Sequence, residues 1–241
     1  MFGGRVVVVL GQYRSGSSAV AGVLKLMGGW DGERSVRPPN ISNPTGFHED
    51  FELDSICKTY FKIPEHIRTG DSQELVEKLR SWRSKQESLQ PKDAKFICAK
   101  NPLFCLMTNE LLLAWPDAAW ICVRRDSNHS IKSIIDRGWD WPRENIDFSI
   151  QSMVNQRDKF LEQNYSHEVN YDLLISQPEL EITNLANHIE VNLDRDTLKN
   201  AVKSIKPSLD RMSSRKNLFA RFWRMIYVRI LILVSSKRSR Q

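Results

Sequence analysis

The sequence predicts an α/β fold, a three-layer α/β/α arrangement around a central, mainly parallel sheet. Two observations carry this. Short, continuously apolar runs recur at residues 5–10 (RVVVVL), 95–99 (KFICA) and 118–123 (AAWICV), each followed by a change of period, as expected of strands buried on both faces. Helical patterns fill the spaces between and after them, so strands alternate with helices as in a doubly wound sheet.

Taken in order, the run at 5–10 leads into a glycine-containing loop and a helix over 17–27. Residues 28–46, rich in Gly, Pro and Asn, read as a loop, followed by helices over 51–61 and 73–86. The second strand, 95–99, precedes a helix over 103–115, and the third, 118–123, precedes one over 130–137. A loop at 138–145 holds Trp139 and Trp141, a helix follows over 148–163, a fourth strand falls near 167–171, and a helix spans 178–189. There is no internal repeat.

With 241 residues, of which 41% are apolar, the chain can build one sizeable core, expected over residues 1–214, with a basic tail at 215–241. The net charge of +6 owes much to Arg215, Lys216, Arg221, Arg224, Arg229, Lys237, Arg238 and Arg240. The body is then nearly neutral, so the charge says little about nucleic acid, and no nucleic-acid partner is expected. Four cysteines, with no CxxC pair and no secretory signal, predict reduced, buried thiols, no metal site and a cytoplasmic protein.

The chemistry begins at Gly11-Gln-Tyr-Arg-Ser-Gly-Ser-Ser18. A strand, then G-x-x-x-x-G, then a helix opening on small hydroxyl residues makes a P-loop-like anion cradle, because loop and first-turn N–H groups point at one spot and the helix dipole adds positive potential. The lysine that reaches the outer phosphates of ATP or GTP is absent after Gly16. Arg14, on the loop, supplies the charge instead and can clamp an anion bidentately.

R-S-G-S-S after a strand resembles the 5′-phosphosulfate loop of sulfotransferases, which use 3′-phosphoadenosine 5′-phosphosulfate (PAPS) as sulfonate donor. A second landmark of that family, a strand-end arginine with a serine eight residues on, is similar to WICVRRDSNHSIKS, where Arg125 and Ser133 have that spacing. Arg124 has Lys132 at the same interval, and Ser127 stands where the family often has proline. NPTGFHED (43–50), AKNPLFCL (99–106) and VNYDLLISQPELEITNLANHI also resemble segments of bacterial members, so the likeness spans about residues 5–210 in the family's order.

The resemblance implies a PAPS-dependent sulfotransferase that needs no metal. Arg14, Ser15, Gly16, Ser17 and Ser18 would hold the 5′-phosphate, Arg14 also stabilising the leaving group, and Arg125 with Ser133 would hold the 3′-phosphate. Glu49 is the favoured base for the acceptor hydroxyl, with a helix cap as its plain structural alternative and His48 as its rival. Lys100, leaving the second strand, would neutralise the sulfonate or bridging oxygen, or else is a solvated strand-end lysine. Trp139 and Trp141 would wall the acceptor or pin a lid. The acceptor is a hydroxyl of a glycan, glycolipid or small molecule. The competing readings are a P-loop small-molecule kinase and a non-catalytic nucleotide-binding protein.

Residues 216–236 alternate an apolar arc with Arg221, Arg224 and Arg229, and their apolar run is too short to span a bilayer. Two expectations stand side by side: a helix lying on an anionic membrane surface, which would make the protein peripheral at the inner membrane, or a helix docked on the body or on a second subunit of a homo-oligomer.

Overall fold

Val6–Leu10 is buried along its whole length and forms the central strand, β1. In the computed structural model, which describes residues 5–36 and 46–205, it leads through a tight loop into helix α1 (Ser17–Leu26) and the edge strand β2 (Gly29–Trp30). Helix α2 (Phe51–Thr59) is followed by a hairpin of β3 (Phe61–Lys62) and β4 (Ile67–Arg68), and then by α3 (Ser72–Leu89). Strand β5 (Phe96–Lys100) runs into a 3-10 turn at Pro102–Leu106 and α4 (Thr108–Ala114). Strand β6 (Ala119–Arg124) is followed by α5 (Ser127–Asp136) and α6 (Arg143–Leu161), and β7 (His167–Asn170) by α7 (Tyr171–Ser176), α8 (Pro178–His188) and α9 (Arg195–Ser204). The basic tail and Asn43, Pro44 and Thr45 of the NPTGFHED segment lie outside the described residues.

The main sheet has the order β2-β5-β1-β6-β7 and every pairing in it is parallel. Strand alternation separates two apolar layers. Val6, Val8 and Leu10 of β1 pack with Leu79 and Trp82 of α3 and Met153 of α6, whereas Val7 and Val9 face Val20 and Leu24 of α1 and Ile182 of α8. The expected α/β/α layering with a parallel sheet is therefore present. All four cysteines are buried thiols.

Several boundaries differ from the sequence expectation for identifiable local reasons. The helix expected over 103–115 is split: Asn101 caps the 3-10 turn by accepting from Leu103 N, and Met107, at φ −133°, interrupts the helical path before α4. Helix α5 starts earlier than expected because Asp126 accepts from His129 N as its N-cap. Strand β2 falls in the expected 28–46 loop, since two residues pairing only with Phe96 and Ile97 leave no periodic signal. The hairpin β3/β4 and helices α7 and α9 have no counterpart among the expected elements; Asn170 and Asp194 cap the two helices. Among the described residues, no helix is long and apolar enough to cross a membrane.

Candidate active site

Strand order places the site. Strand β1 lies between β5 and β6, and the chain leaves it toward β2 on one side while β5 connects across it to β6 on the other. In such an open sheet the crevice forms beyond the carboxyl ends of these strands. Three segments meet there: the Gly11–Gly16 loop after β1, Lys100 at the end of β5, and Arg125 just past β6. They line one cavity of about 600 Å³, together with Glu49, Tyr171 and the two tryptophans of the 138–145 loop.

The loop is shaped by two left-handed residues, Arg14 at φ 63° and Gly16 at φ 96°. Gly16 is the N-cap residue of α1 and has no side chain with which to cap it. Only glycine fits at 16, because a Cβ there would overlap the ring of Tyr171. Ser17 and Ser18 line the cavity. Ser15 does not: it is fully buried, its hydroxyl accepts from Ser17 N at 3.4 Å, and it braces the loop from within.

The arginines form a connected group. Arg125 donates to the backbone carbonyl of Arg14 at 2.9 Å and stacks over Tyr171, with its guanidinium carbon 4.6 Å from the ring centroid. Arg14 donates through Nε to Ser133 Oγ at 3.3 Å. Ser133 is nine-tenths buried and off the cavity wall, and it also accepts from Arg137, a third cavity-lining arginine that the sequence reading passed over. Arg124 turns elsewhere, pairing with Asp158 at 3.0 Å and with Glu168.

A buried clamp fixes the loop against the neighbouring strand. Gln12, fully buried, donates to Arg125 O at 3.1 Å and accepts from Arg157 Nη1 at 2.7 Å. Arg157 in turn reaches Val123 O at 3.4 Å and Asp158 at 2.8 Å. Burial alone would lower the basicity of Arg157, but Asp158 and neighbouring groups raise it. Neither residue has a sequence signature, because the pair is 145 positions apart.

Across the cavity, Lys100 is almost fully buried and forms an ion pair with Glu49, whose side chain is 13% exposed. Its Nζ also donates to Ser18 Oγ at 3.1 Å and Phe47 O at 3.4 Å. Lys100 thus bridges the carboxylate and the first turn of α1, and is not a solvated strand end. The cap of α2 is Asp50, which accepts from Leu53 N at 2.9 Å and leaves Glu49 to the cavity.

His48, by contrast, turns away from the cavity lining. Its Nδ1 lies 2.8 Å from Asp31 Oδ2, and its Nε2 packs against α1, where a Cβ on Gly22 would come within 3.1 Å. Burial would raise the Asp31 carboxyl, but hydrogen bonds from His48 and Lys25 hold it below its usual value. The structure therefore brings Glu49 and Lys100 together with the Gly11–Gly16 loop and leaves His48 beside Asp31.

An aromatic group closes the remaining side. Tyr13 packs edge-on to Trp139 (5.4 Å) and Trp141 (5.6 Å), and His66 lies 5.7 Å from Tyr13 and 5.9 Å from Trp141. Burial, with Glu49 nearby, pushes the Tyr13 phenol well up, and burial pushes His66 down to about 4. Both tryptophans line the cavity and also tie their loop to Tyr13.

Arg14, Arg125 and the start of α1 thus face one cavity together with the Lys100–Glu49 pair. The sulfotransferase domain of the Synechococcus PCC 7002 olefin synthase superposes with a TM-score of 0.52 at 14% identity, over 86% of this chain and 82% of that one. The sulfotransferase STF1 of Mycobacterium tuberculosis H37Rv aligns at 15% identity over 83% of this chain and 70% of that one, with a TM-score of 0.49. No curated protein sequence matches the chain. The model of the sulfotransferase family matches residues 6–195, most of the chain, and by that match the protein belongs to the sulfotransferase family.

Proposed function

We propose that the protein transfers the sulfonate group of PAPS to a hydroxyl of an acceptor. The observation that carries this is the convergence, on one cavity, of the Arg14–Ser18 loop, Arg125 and the Lys100–Glu49 pair from three adjacent strand ends. PAPS carries phosphates at two ends of a nucleoside, and the donor set matches two anions: backbone N–H groups and hydroxyls at the start of α1 for one, guanidinium groups for the other.

In the transfer, the acceptor oxygen forms a bond to sulfur while the bond from sulfur to the 5′-phosphate oxygen breaks, and the acceptor proton goes to Glu49. Adenosine 3′,5′-bisphosphate leaves. Lys100 touches both Glu49 and Ser18, so its ammonium can follow the negative charge from the carboxylate to the leaving phosphate as the proton arrives. Arg14 and the α1 N-terminus stabilise the same leaving group. Ser15 contributes by holding the loop, and Ser133 by holding Arg14.

Calorimetric titration with adenosine 3′,5′-bisphosphate and with ATP·Mg²⁺ tests the donor assignment. Binding of the first alone is expected; binding of the second alone would replace this reading with a kinase. Glu49→Gln should keep bisphosphate affinity and lower turnover by about 10²-fold or more, because the amide retains shape but accepts no proton. If Glu49→Gln turns over normally, the base is another group.

A further inference from the structure

We infer, resting on the PAPS reading of the cavity, that Arg137 binds the 3′-phosphate of the sulfonate donor directly, and that Ser133 positions Arg137 and Arg14 rather than binding that phosphate itself. Arg137 closes α5 as its C-cap residue, with its own N–H on Ile134 O and Ile135 O, so the helix end is fixed by backbone bonds. It stands four residues after Ser133, one turn further along the same helix face. Its Nη1 donates to the hydroxyl of Ser133 and, at 3.4 Å, to the Ser133 carbonyl. The same hydroxyl accepts from Arg14 Nε at 3.3 Å, and Arg125 donates to the carbonyl of Arg14 at 2.9 Å. Ser133 is buried, whereas the three arginines are partly buried and all line the cavity.

Each of these bonds ends on a neutral oxygen, so it holds a guanidinium in place without cancelling its charge. Arg124 is the contrast, since it ends on the carboxylates of Asp158 and Glu168. Guanidinium groups gathered on one hydroxyl and one carbonyl repel one another, and a phosphate monoester with up to two negative charges relieves that repulsion as no neutral ligand does. A guanidinium has five N–H donors in a flat fork, so Nη1 can stay on Ser133 while other donors meet phosphate oxygens. The single hydroxyl of Ser133 already accepts from two arginines.

Strand order decides which phosphate this is. Lys100, with Glu49 paired to it, lies at the end of β5 on one side of β1, and α1 begins beyond β1 itself. Arg125, Ser133 and Arg137 follow β6, on the other side. The reacting sulfonate and the 5′-phosphate that bears it belong between α1 and the Lys100–Glu49 pair, which leaves the arginine group to the phosphate at the other end of the nucleoside.

The full chain is titrated calorimetrically with adenosine 3′,5′-bisphosphate, and phosphorus NMR spectra of the saturated complex report the two phosphates separately. Arg137→Gln should lower the affinity about tenfold or more, the range for a hydrogen bond to a charged group, and should move the 3′ resonance while leaving the 5′ resonance in place. Arg137→Lys, which keeps the charge but loses the fork, should recover part of the affinity. Ser133→Ala should move both resonances, because the serine also holds Arg14 of the 5′ loop. Unchanged affinity in Arg137→Gln, or movement of both resonances to the same extent, overturns the inference. Ser133→Ala moving the 3′ resonance alone while Arg137→Gln moves neither would make the serine the ligand and overturn it too. If the unsubstituted chain does not bind the bisphosphate, the donor reading itself falls before any variant is compared.

Discussion

Replacing Gly16 by alanine tests how the phosphate loop is held. Gly16 sits at φ 96°, and an added Cβ would overlap the ring of Tyr171, which itself stacks under Arg125. Two costs follow. A left-handed backbone at a residue bearing a Cβ costs about 1–2 kcal/mol. Overpacking against the ring adds about 1–3 kcal/mol. Gly16→Ala should therefore lose about 2–5 kcal/mol in urea unfolding, a large part of the 5–15 kcal/mol typical of a domain. Bisphosphate affinity should fall as well, because relief comes from moving either the loop or the tyrosine that supports Arg125. The double variant Gly16→Ala/Tyr171→Ala separates the terms: removing the ring abolishes the overlap but not the backbone cost. A coupling of about 1–3 kcal/mol between the two substitutions is expected from a double-mutant cycle. If the two losses simply add, Tyr171 does not confine the loop and the reasoning fails.

Arg125→Ala should weaken bisphosphate by about 1.5–3 kcal/mol in calorimetry, the range for hydrogen bonds to charged groups, while unchanged affinity in a folded variant would remove Arg125 from the phosphate site. Arg157→Met orphans Gln12 Oε1 and Val123 O, so a loss of about 2–5 kcal/mol is expected in urea unfolding, together with weaker bisphosphate binding; a loss under about 1 kcal/mol would mean that the clamp does not hold the loop. His66 has a folded pKa of about 4 against an ordinary 6.5, so the unfolded chain binds more protons between those values and stability falls as pH drops through that window. A shift of this size corresponds to about 3 kcal/mol, reduced to about 1–2 kcal/mol by partial exposure of the ring. Thermal unfolding across pH 4–7 should show a shallower acid loss for His66→Gln, and superimposable profiles would refute the assignment.

The fold and the site differ in how they are encoded. Strand positions and the parallel α/β layering follow from contiguous runs such as Val6–Leu10, because burial on both faces demands an unbroken apolar stretch. The anion loop is equally local: Gly11 to Ser18 carries its geometry and its charge in consecutive residues. The short edge strand β2 escaped because two residues leave no periodic trace; α9 does carry one, in Leu198, Ala201, Val202 and Ile205 at helical spacing, and was legible in the sequence. Spacing alone pairs Arg125 with Ser133, yet in three dimensions the serine holds Arg14 and Arg137, since side-chain direction is set by packing between α5 and the loop. Neighbouring residues 48 and 49 part company in the same way: one turns to Asp31 beside α1 and the other to Lys100 on β5. Gln12 with Arg157, and Tyr13 with His66 and Trp141, are contacts between segments brought together only by the sheet order. Local sequence thus sets the loop after β1 and its charge, whereas which carboxylate meets the lysine depends on non-local packing that no single segment specifies.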